Sequence, residues 1–426
     1  MDEQDEVMGE QAVRNVLPSH SAETIMPSVK DLPLGYKRTT LGVIPEDWET
    51  KRLGDIADLH RRGITPTMFP DEPFQHFSLP AYDENQAPRV EQGNTIGSNK
   101  FKVPANVVLV SKLNPRIPRV WKPESIGINA VASTEFLLFT PREGVSRNFL
   151  YVLCCSPEFN EQMKLLVTGT TGSHQRTSPA GALKIEIKVP LSRKEQRAIA
   201  TILTDADALI ESLDRLIAKK RAIKQATMQQ LLTGQTRLPG FTGEWETTTL
   251  SNLVRHHSGN SSLIKGRLSS EPRTGLYPGF SASGKDVWCS RYDYEGDAVV
   301  VSAVGSRCGK AFLATGKWNA IANTHVVWPI ACKVDWRFLA LFINREDFWV
   351  KSGSGQPFVL FKQTFSRPLF FPPFNEQTAI ATILTDMDTE IEALEHRRDK
   401  VRQVKQGMMQ QLLTGQVRLV EPGVAV

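Results

Sequence analysis

Residues 195–238 read EQRAIATILTDADALIESLDRLIAKKRAIKQATMQQLLTGQTRL, and residues 376–419 read EQTAIATILTDMDTEIEALEHRRDKVRQVKQGMMQQLLTGQVRL. The two stretches are 181 residues apart, align without a gap and are identical at 28 of 44 positions. Agreement over such a length indicates an internal repeat, and a repeat of this kind decides how a chain is organised. The chain of 426 residues therefore contains two copies of one structural unit.

Each copy has the apolar periodicity of a long helix. In the first copy three aliphatic rows recur at helical spacing: Ile199, Ala206 and Leu213; Ile202, Leu209, Leu216 and Ile223; and Leu203, Ile210, Ile217 and Leu231. Such rows form one apolar face, which a single helix cannot bury by itself. Prolines precede both stretches, and Gly234 and Gly415 stand where a helix C-cap is expected. We therefore predict two helices of about 38 residues, each roughly 57 Å long, that pack as an antiparallel coiled coil with pseudo-two-fold symmetry.

A weaker repeat precedes each helix. Trp48 and Trp245 stand in the similar contexts EDWET and GEWET, 147 and 131 residues before the two helix starts. The intervening segments alternate short β-branched runs with turn residues, which is typical of mixed α/β structure. The predicted strands are 106–111, 136–139, 298–302 and 326–328, and the predicted short helices begin at 149 and 338. Beyond the tryptophan context the two segments share little sequence, so we expect them to have diverged.

The fold class that follows is α+β, with two mixed α/β heads joined and separated by two long antiparallel coiled-coil helices. In chain order we predict an acidic N-terminal tail, head 1, a first helical region, head 2, a second helical region and a C-terminal tail. Their bounds are residues 1–34, 35–190, 191–238, 239–372, 373–420 and 421–426.

The charge of the chain is unevenly distributed. The formal net charge is +5, but residues 1–34 carry seven acidic and two basic side chains, so the rest of the chain carries +10. A basic surface suits a polyanion such as nucleic acid without proving one.

Basic and amide side chains next to turn residues can reach phosphates and base edges, and they form the candidate binding set. In head 1 the set is Lys100, Lys102, Lys112, Asn114, Arg116, Arg119, His174, Gln175 and Arg176. In head 2 it is Arg255, Lys265, Arg267, Lys285, Arg307, Lys310 and Gln356. For any single member, a solvated basic loop remains the alternative.

Several protein classes are excluded by composition. The five cysteines form no C-x-x-C pair, which argues against a disulfide scaffold and a zinc module and favours a reducing compartment. No run approaches 18 apolar residues, and the acidic N-terminus lacks the order of a signal peptide. We expect a soluble cytoplasmic protein that does not contact membranes.

No catalytic motif is complete. Gly305 and Gly309 have three residues between them, and the lysine that follows precedes an alanine, so the segment is not a phosphate-binding P-loop. Residues 114–117 and 371–374 each contain half of the N-P-P-[YF] motif of adenine methyltransferases. The histidines are scattered. We therefore expect no catalytic residue, no metal site and no cofactor in this chain.

From about Gly35 to Leu419 the chain resembles the specificity (S) subunit of type I restriction-modification systems. The resemblance rests on the order of eight short stretches: 42–48, 111–116, 195–196, 231–235, 238–245, 305–309, 376–377 and 412–416. It implies a non-enzymatic subunit in which each head is a target-recognition domain for one half of an asymmetric, gapped site in double-stranded DNA.

The resemblance also implies partners. Two methyltransferase (M) subunits and two restriction/translocase (R) subunits would bind this chain. S-adenosylmethionine, and ATP with Mg²⁺, would belong to those partners, and the helices would fix the gap between the half-sites.

The sequence leaves two other interpretations of the function open. An enzyme could carry its own methylation or nuclease chemistry, although the incomplete motifs argue against it. A coiled-coil assembly protein with no DNA-reading role is the other alternative, and the basic loops of both heads weigh against it.

Overall fold

The computed structural model describes residues 32–168, 175–353 and 355–420. Its contacts divide the chain into two units. One unit extends to Ala208 and also includes the chain from Gln403 onward, and the other is Leu209–Arg402. Each unit therefore contains one head together with parts of both long helices. The predicted C-terminal tail, and residues 1–31 of the predicted N-terminal tail, lie outside the described residues.

The two predicted long helices are confirmed. The helices are α1 Leu53–Ile56, α2 Leu79–Asn85, α3 Arg147–Cys154, α4 Pro157–Leu165, α5 Pro179–Ala182, α6 Arg193–Leu232, α7 Leu250–Leu253, α8 Trp336–Ile343, α9 Phe361–Ser366 and α10 Phe374–Leu412. Helices α6 and α10 have 40 and 39 residues, and Gly234 and Gly415 follow them with φ of +73° and +74°, as a glycine C-cap requires. In the described part of the chain, no helix has both the length and the apolar character needed to span a bilayer.

The strands lie in the heads, as predicted. In head 1 they are β1 Tyr36–Thr39, β2 Gly42–Pro45, β3 Trp48–Arg52, β4 Ala57–His60, β5 Gly63–Ile64, β6 Pro73–Phe77, β7 Arg89–Gln92, β8 Lys100–Lys102, β9 Val108–Ser111, β10 Val120–Trp121, β11 Ala130–Ser133, β12 Phe136–Pro141, β13 Val167–Thr168, β14 Arg176–Thr177 and β15 Glu186–Pro190. In head 2 they are β16 Glu246–Thr249, β17 Val254–Ser258, β18 Tyr277–Ser281, β19 Gly284–Cys289, β20 Tyr294–Glu295, β21 Ala298–Ser302, β22 Ala311–Ala314, β23 Lys317–Ala320, β24 Thr324–Pro329 and β25 Pro368–Phe371.

The two heads share one topology. A four-stranded antiparallel sheet has the order β10-β9-β12-β4 in head 1 and β22-β21-β24-β17 in head 2. A second sheet has the order β7-β6-β11-β8-β5 in head 1 and β19-β18-β23-β20 in head 2, with one parallel pair in each, β6 with β11 and β18 with β23. The divergence expected from the sequence is therefore a divergence of side chains and not of fold.

The central strands of the four-stranded sheets are buried on both faces. Val108 and Val110 of β9 join a hydrophobic cluster with α3, whereas Leu109 joins a cluster with the second sheet. In head 2, Val299 and Val300 of β21 divide in the same way between two clusters. Burial on both faces explains why these strands read as unbroken apolar runs rather than alternating ones.

Within each unit, α6 and α10 pack antiparallel. In the unit of head 1, Ile199 and Leu203 at the start of α6 share a cluster with Leu412 at the end of α10. In the unit of head 2, Leu231 shares a cluster with Ile380. Ion pairs follow the same antiparallel register: Asp207 with Lys405; and, in the other unit, Asp214 with Arg398 and Arg402, Lys220 with Glu390, Arg221 with Glu395, and Lys224 with Asp388.

One predicted apolar row is not packed between the helices. The side chains of Leu209, Leu216 and Ile223 are 39%, 38% and 42% exposed, although the sequence placed them on the packed face. The interface of two helices is narrow, and Leu213 and Ile217 already fill it on this side. The flanking row, named here the outer row, is left facing outward on α6.

The repeated tryptophans are joined to the repeated helix starts by a buried carboxylate. In head 1, Glu195 is fully buried, and it accepts hydrogen bonds from Trp48 Nε1 at 3.1 Å and from Arg418 Nε at 2.5 Å and Nη2 at 2.8 Å. We name these three residues triad 1. Asp47 binds the same guanidinium at 2.7–2.9 Å and holds it in place.

Triad 2 has the same construction in head 2. Glu376 is fully buried and accepts from Trp245 Nε1 at 3.1 Å and from two nitrogens of Arg237, each at 2.6 Å. The arginine of each triad lies three residues after the glycine that caps a long helix. Each triad therefore joins a tryptophan of the weaker repeat to residues of the helix repeat. The carboxylate partner raises the pKa of both arginine side chains.

The side-chain amide of the glutamine that follows each buried glutamate forms hydrogen bonds with main-chain atoms of the head. Gln196 donates to Pro190 O at 2.9 Å and to Gly144 O at 3.2 Å, and accepts from Ser146 N at 2.8 Å. Gln377 makes the equivalent bonds to Pro372, Lys333 and Asp335, at 2.8–3.0 Å. Ser146 and Asp335 are the N-caps of α3 and α8, so each Glu-Gln pair fixes a head to the start of its helix.

We predict that Arg418→Met destabilises the protein by about 3–5 kcal/mol, because removal of one partner leaves the buried Glu195 carboxylate without its counter-ion. Methionine keeps the apolar stem, so packing is largely preserved. The measurement is the free energy of unfolding from urea titration followed by circular dichroism.

The matched control is Arg215→Met. Arg215 pairs with Glu211 on the surface of α6, where both side chains are about 70% exposed, and its loss should cost less than about 1 kcal/mol. Equal effects of the two substitutions would contradict the structural role of triad 1.

Candidate nucleic-acid interface

Most of the predicted loop residues of head 1 lie on two adjacent segments, residues 111–119 and 175–177. Main-chain hydrogen bonds join them: Asn114 N to Gln175 O at 2.9 Å and Thr177 N to Lys112 O at 2.9 Å. Within the first segment, Ser111 N donates to Arg119 O at 2.8 Å and Ile117 N to Asn114 O at 2.9 Å. We name this arrangement the paired-loop frame. It follows strand β9 directly.

Head 2 contains the same frame after β21, in residues 302–310 and 357–359. The equivalent bonds are Gly305 N to Pro357 O, Val359 N to Ala303 O, Ser302 N to Lys310 O and Cys308 N to Gly305 O, all at 2.8–2.9 Å. An isolated bridge between Leu113 and Arg176 in head 1 is matched by one between Val304 and Phe358. The two frames are therefore equivalent hydrogen bond by hydrogen bond, although the residue types differ.

The frame requires a left-handed backbone at one position. That residue is Asn114 in head 1, with φ +46°, and Gly305 in head 2, with φ +91°. Asparagine and glycine are the residues that adopt this conformation at low cost. Asn114 Oδ1 is shielded from solvent and accepts no hydrogen bond from the described residues.

Side chains on the frame are partly shared and partly different. Arg116 and Arg307 occupy the same position and are both exposed, and Arg119 corresponds to Lys310. Four other equivalent pairs differ in chemistry: Lys112 and Ala303, Asn114 and Gly305, Gln175 and Pro357, and Arg176 and Phe358. The frames thus combine a common basic position with variable neighbours.

Three predicted contacts of head 1 are engaged within the protein. Lys100 is only 5% exposed; its amine donates to Ser98, and burial lowers the pKa of this side chain. Arg119 makes two hydrogen bonds to Asp83, at 2.6 and 2.8 Å, which raise the pKa of the guanidinium. Arg176 Nε binds Glu135 at 3.0–3.1 Å. Lys100 and Arg119 are therefore largely withdrawn from solvent, whereas the Arg176 side chain remains 41% exposed beside its acidic partner.

Other predicted residues of head 1 have different surroundings. Lys102 is exposed, whereas Gln175 is half-buried on the frame. His174 lies outside the described residues.

Head 2 gathers its predicted residues around the hairpin turn between β18 and β19. Arg307 Nη1 donates to Ser283 O at 2.6 Å, and Lys265 pairs with Asp286 on β19. Lys285 is exposed on the same strand. The turn therefore joins three separate predicted segments at the frame of head 2.

The remaining predicted residues of head 2 are also exposed. Gln356 lies next to the frame, since its Nε2 is 3.7 Å from the position that a Cβ atom would occupy if Gly305 were replaced by another residue. Lys310 closes the first segment of the frame. Arg255 on β17 and Arg267 in the 3₁₀ turn Lys265–Arg267 are exposed, but no contact places them on the frame.

Sequence reasoning missed one surface of head 1. A cavity of about 390 Å³ is lined by Arg62, Gly63, Ile64, Thr65, Phe69, Asn99 and Lys102. Phe69 is 42% exposed, so the cavity combines two cations with an aromatic face. The sequence signal that could have indicated this surface is the arginine pair Arg61-Arg62, which directly precedes Gly63. In the described part of the chain, no group of three or more potential metal ligands occurs.

Comparison with known proteins identifies a family. A family model described as the type I restriction modification DNA specificity domain matches residues 45–219 and again 243–403. A putative type I restriction enzyme specificity subunit, MjaX, from Methanocaldococcus jannaschii is 24% identical over 431 residues, covering 90% of this chain and 97% of that protein. The EcoDI specificity subunit of Escherichia coli is 25% identical over 174 residues, covering 40% of this chain and 37% of that one.

Solved structures agree on the fold. The crystal structure of a type I restriction-modification S subunit from M. genitalium has a TM-score of 0.58 at 15% identity, and the match covers 86% of this chain and 96% of that one. A chain from a structural study of complex assembly and conformational transition in the type I system has a TM-score of 0.57 at 18% identity, covering 88% and 99%.

The two matches of the family model coincide with the two heads and the greater part of the helix after each, and together they span well over half of the chain. The family implies a complex with methyltransferase and restriction subunits and with DNA, so assembly without a DNA-reading role is not favoured. The chain belongs to the type I restriction-modification DNA specificity family and is a DNA-recognition subunit of such a system.

Proposed function

We propose that each head reads one half of an asymmetric, gapped target in double-stranded DNA through its paired-loop frame. The observation that carries this proposal is the equivalence of the two frames: the backbone bonds are the same and the neighbouring side chains differ. Identical scaffolds place side chains identically relative to a duplex, so different side chains select different bases. A palindromic target would require matching side chains.

The shared and the variable positions have different tasks. Arg116 and Arg307, equivalent and exposed, bind phosphate and orient each head. The variable positions, represented by Asn114 and Gly305, lie beside them and contact base edges, where an asparagine amide can pair with adenine. Helices α6 and α10, which run without a break, set the number of base pairs between the half-sites.

We further propose that the chain has no catalytic activity and works in the cytoplasm with two M and two R subunits. Adenine methylation uses S-adenosylmethionine held by the M subunits, and restriction uses ATP and Mg²⁺ held by the R subunits. The incomplete methyltransferase motif supports this division. The outer row supports a helical partner, because Leu209, Leu216 and Ile223 recur every seven residues and remain exposed.

Asn114→Gly should alter one half of the methylated motif and leave the other unchanged. Glycine tolerates the φ of +46°, so the frame survives while the amide is lost. Loss of one base contact costs about 1–3 kcal/mol, a reduction of roughly 5- to 150-fold in selectivity at that base. The measurement is sequencing of N6-methyladenine in a host without adenine methylation that expresses this chain with its methyltransferase.

The reciprocal variant Gly305→Asn tests the other half. Among the residues that the structure describes, an added Cβ there meets Gln356 Nε2 alone, at ordinary contact distance, and asparagine accepts a left-handed backbone. We expect a change confined to the half-site read by head 2. If either variant changed both halves, or if neither changed any base, the assignment of the frames would be wrong.

Leu216→Glu should weaken copurification of the methyltransferase about tenfold or more, because burial of a leucine at an interface is worth about 1.5–3 kcal/mol. Leu216 is 38% exposed in this chain alone, and circular dichroism of the variant establishes that the helices are retained. The matched control is Arg397→Glu, at the equivalent, exposed position of α10. Equal loss in both variants, or in neither, would contradict a role for the outer row.

A further inference from the structure

Head 2 contains a cavity whose lining shares no residue with its paired-loop frame. It has a volume of about 270 Å³ and lies between the end of α6, the segment after α8, and strand β25. Its lining is Leu232, Thr233, Trp245, Phe342, Arg345, Asp347, Phe348, Thr364, Arg367, Pro368, Leu369 and Phe370. Seven of the twelve lining residues are aromatic or aliphatic, and the charged groups are two arginines and one aspartate.

Arg345 is held in the wall with one donor unused. Its Nη1 donates to Leu232 O at 3.0 Å, and its guanidinium lies 4.6 Å from the centre of the Phe342 ring. The Nε atom is shielded from solvent and has no hydrogen-bond partner among the described residues. Its nearest acid is Asp347, whose carboxylate lies 3.7 Å away, beyond hydrogen-bond distance, and is 75% exposed. At this distance Arg345 and Asp347 form an ion pair, and the remainder of the guanidinium is accessible from the cavity, since the Arg345 side chain is 22% exposed.

A second cation faces the same cavity. Arg367 is exposed on the cavity wall, and its charge adds to burial in lowering the pKa of Arg345. With Asp347 as the counter-charge on the wall, the cavity has a net positive charge. Two guanidinium groups on one cavity are the arrangement that binds an oxyanion by several charge-assisted hydrogen bonds.

The apolar lining limits which oxyanion fits. Phe348 and Leu369 line the cavity beside the arginines, and Phe370, which is 67% exposed, stands at its edge. A bare phosphate would leave that surface unoccupied, whereas a carboxylate joined to an apolar group would cover it. A cavity near the lower end of the usual range for ligand pockets suits a molecule of about ten to fifteen heavy atoms.

We propose that this cavity is a binding site for a carboxylate attached to an aromatic or aliphatic body, with the carboxylate held by Arg345 and Arg367. The ligand is a free small carboxylic acid or the carboxyl-terminal residue of a polypeptide, since both present this chemistry. In head 1 the residue at the position of Arg345 is Ser156, which caps α4, so the arginine of this site has no counterpart at that position.

Isothermal titration of the full-length chain tests the site with two acids and their amides. The probes are 3-phenylpropanoate and N-acetyl-alanyl-phenylalanine, each compared with its carboxamide. We expect at least one acid to bind and its amide to bind at least tenfold more weakly, because the charge-assisted bonds are lost. Binding of the small acid alone identifies a small-molecule site, and tighter binding of the peptide acid identifies a chain terminus.

Variants place the binding in the cavity. Arg367→Gln, a substitution of an exposed side chain, should weaken acid binding about tenfold, and Arg273→Gln, another exposed position of head 2, should leave it unchanged. The proposal would be overturned if neither acid bound, or if the amides bound as tightly as the acids. It would also be overturned if inorganic phosphate bound more tightly than the acids, or if the two variants had equal effects.

Discussion

The arrangement of the chain depends on a buried carboxylate at the start of each long helix. Glu195 and Glu376 have no contact with solvent, and each is neutralised by an arginine from the segment that follows the end of the other long helix. A buried carboxylate requires several donors, and the tryptophan of the head supplies the third. One interaction thus orders a head, the start of one helix and the end of the other, and it does so twice.

The sequence predicts the helices well because their signal is local and repeated. The 44-residue repeat identified α6 and α10, with both glycine caps, and the tryptophan echo marked the start of each head. The partners of Trp48 could not be inferred, because Glu195 and Arg418 are 147 and 370 residues away and contact depends on the antiparallel pairing. The prediction that the outer row is packed between the helices was wrong for a related reason. Periodicity shows that one face of a helix is apolar, but not how much of that face the partner helix covers.

The candidate interface was predictable as a set of loops and not as a geometry. The sequence selected Asn114, Arg116, Gln175 and Arg307 by residue type, and the structure places all four on or beside equivalent frames. The frames themselves consist of main-chain bonds, which leave almost no trace in residue identity. Lys100 and Arg119 were also selected by residue type, but their charged groups form hydrogen bonds with Ser98 and Asp83 inside the protein. Sequence alone does not reveal these neighbours.

The main-chain construction of the frames has an evolutionary consequence. Apart from the left-handed position and the serine that begins each frame, whose hydroxyl bonds to Leu113 O or Val304 O, the main-chain bonds of the frame do not depend on residue type. Replacement of its exposed side chains therefore costs little folding stability. Selection on what a head recognises is thereby uncoupled from selection on whether the chain folds. Under the proposed role of the frames, a lineage can change its target sequence by single substitutions that the scaffold tolerates, while the buried triads keep the architecture constant.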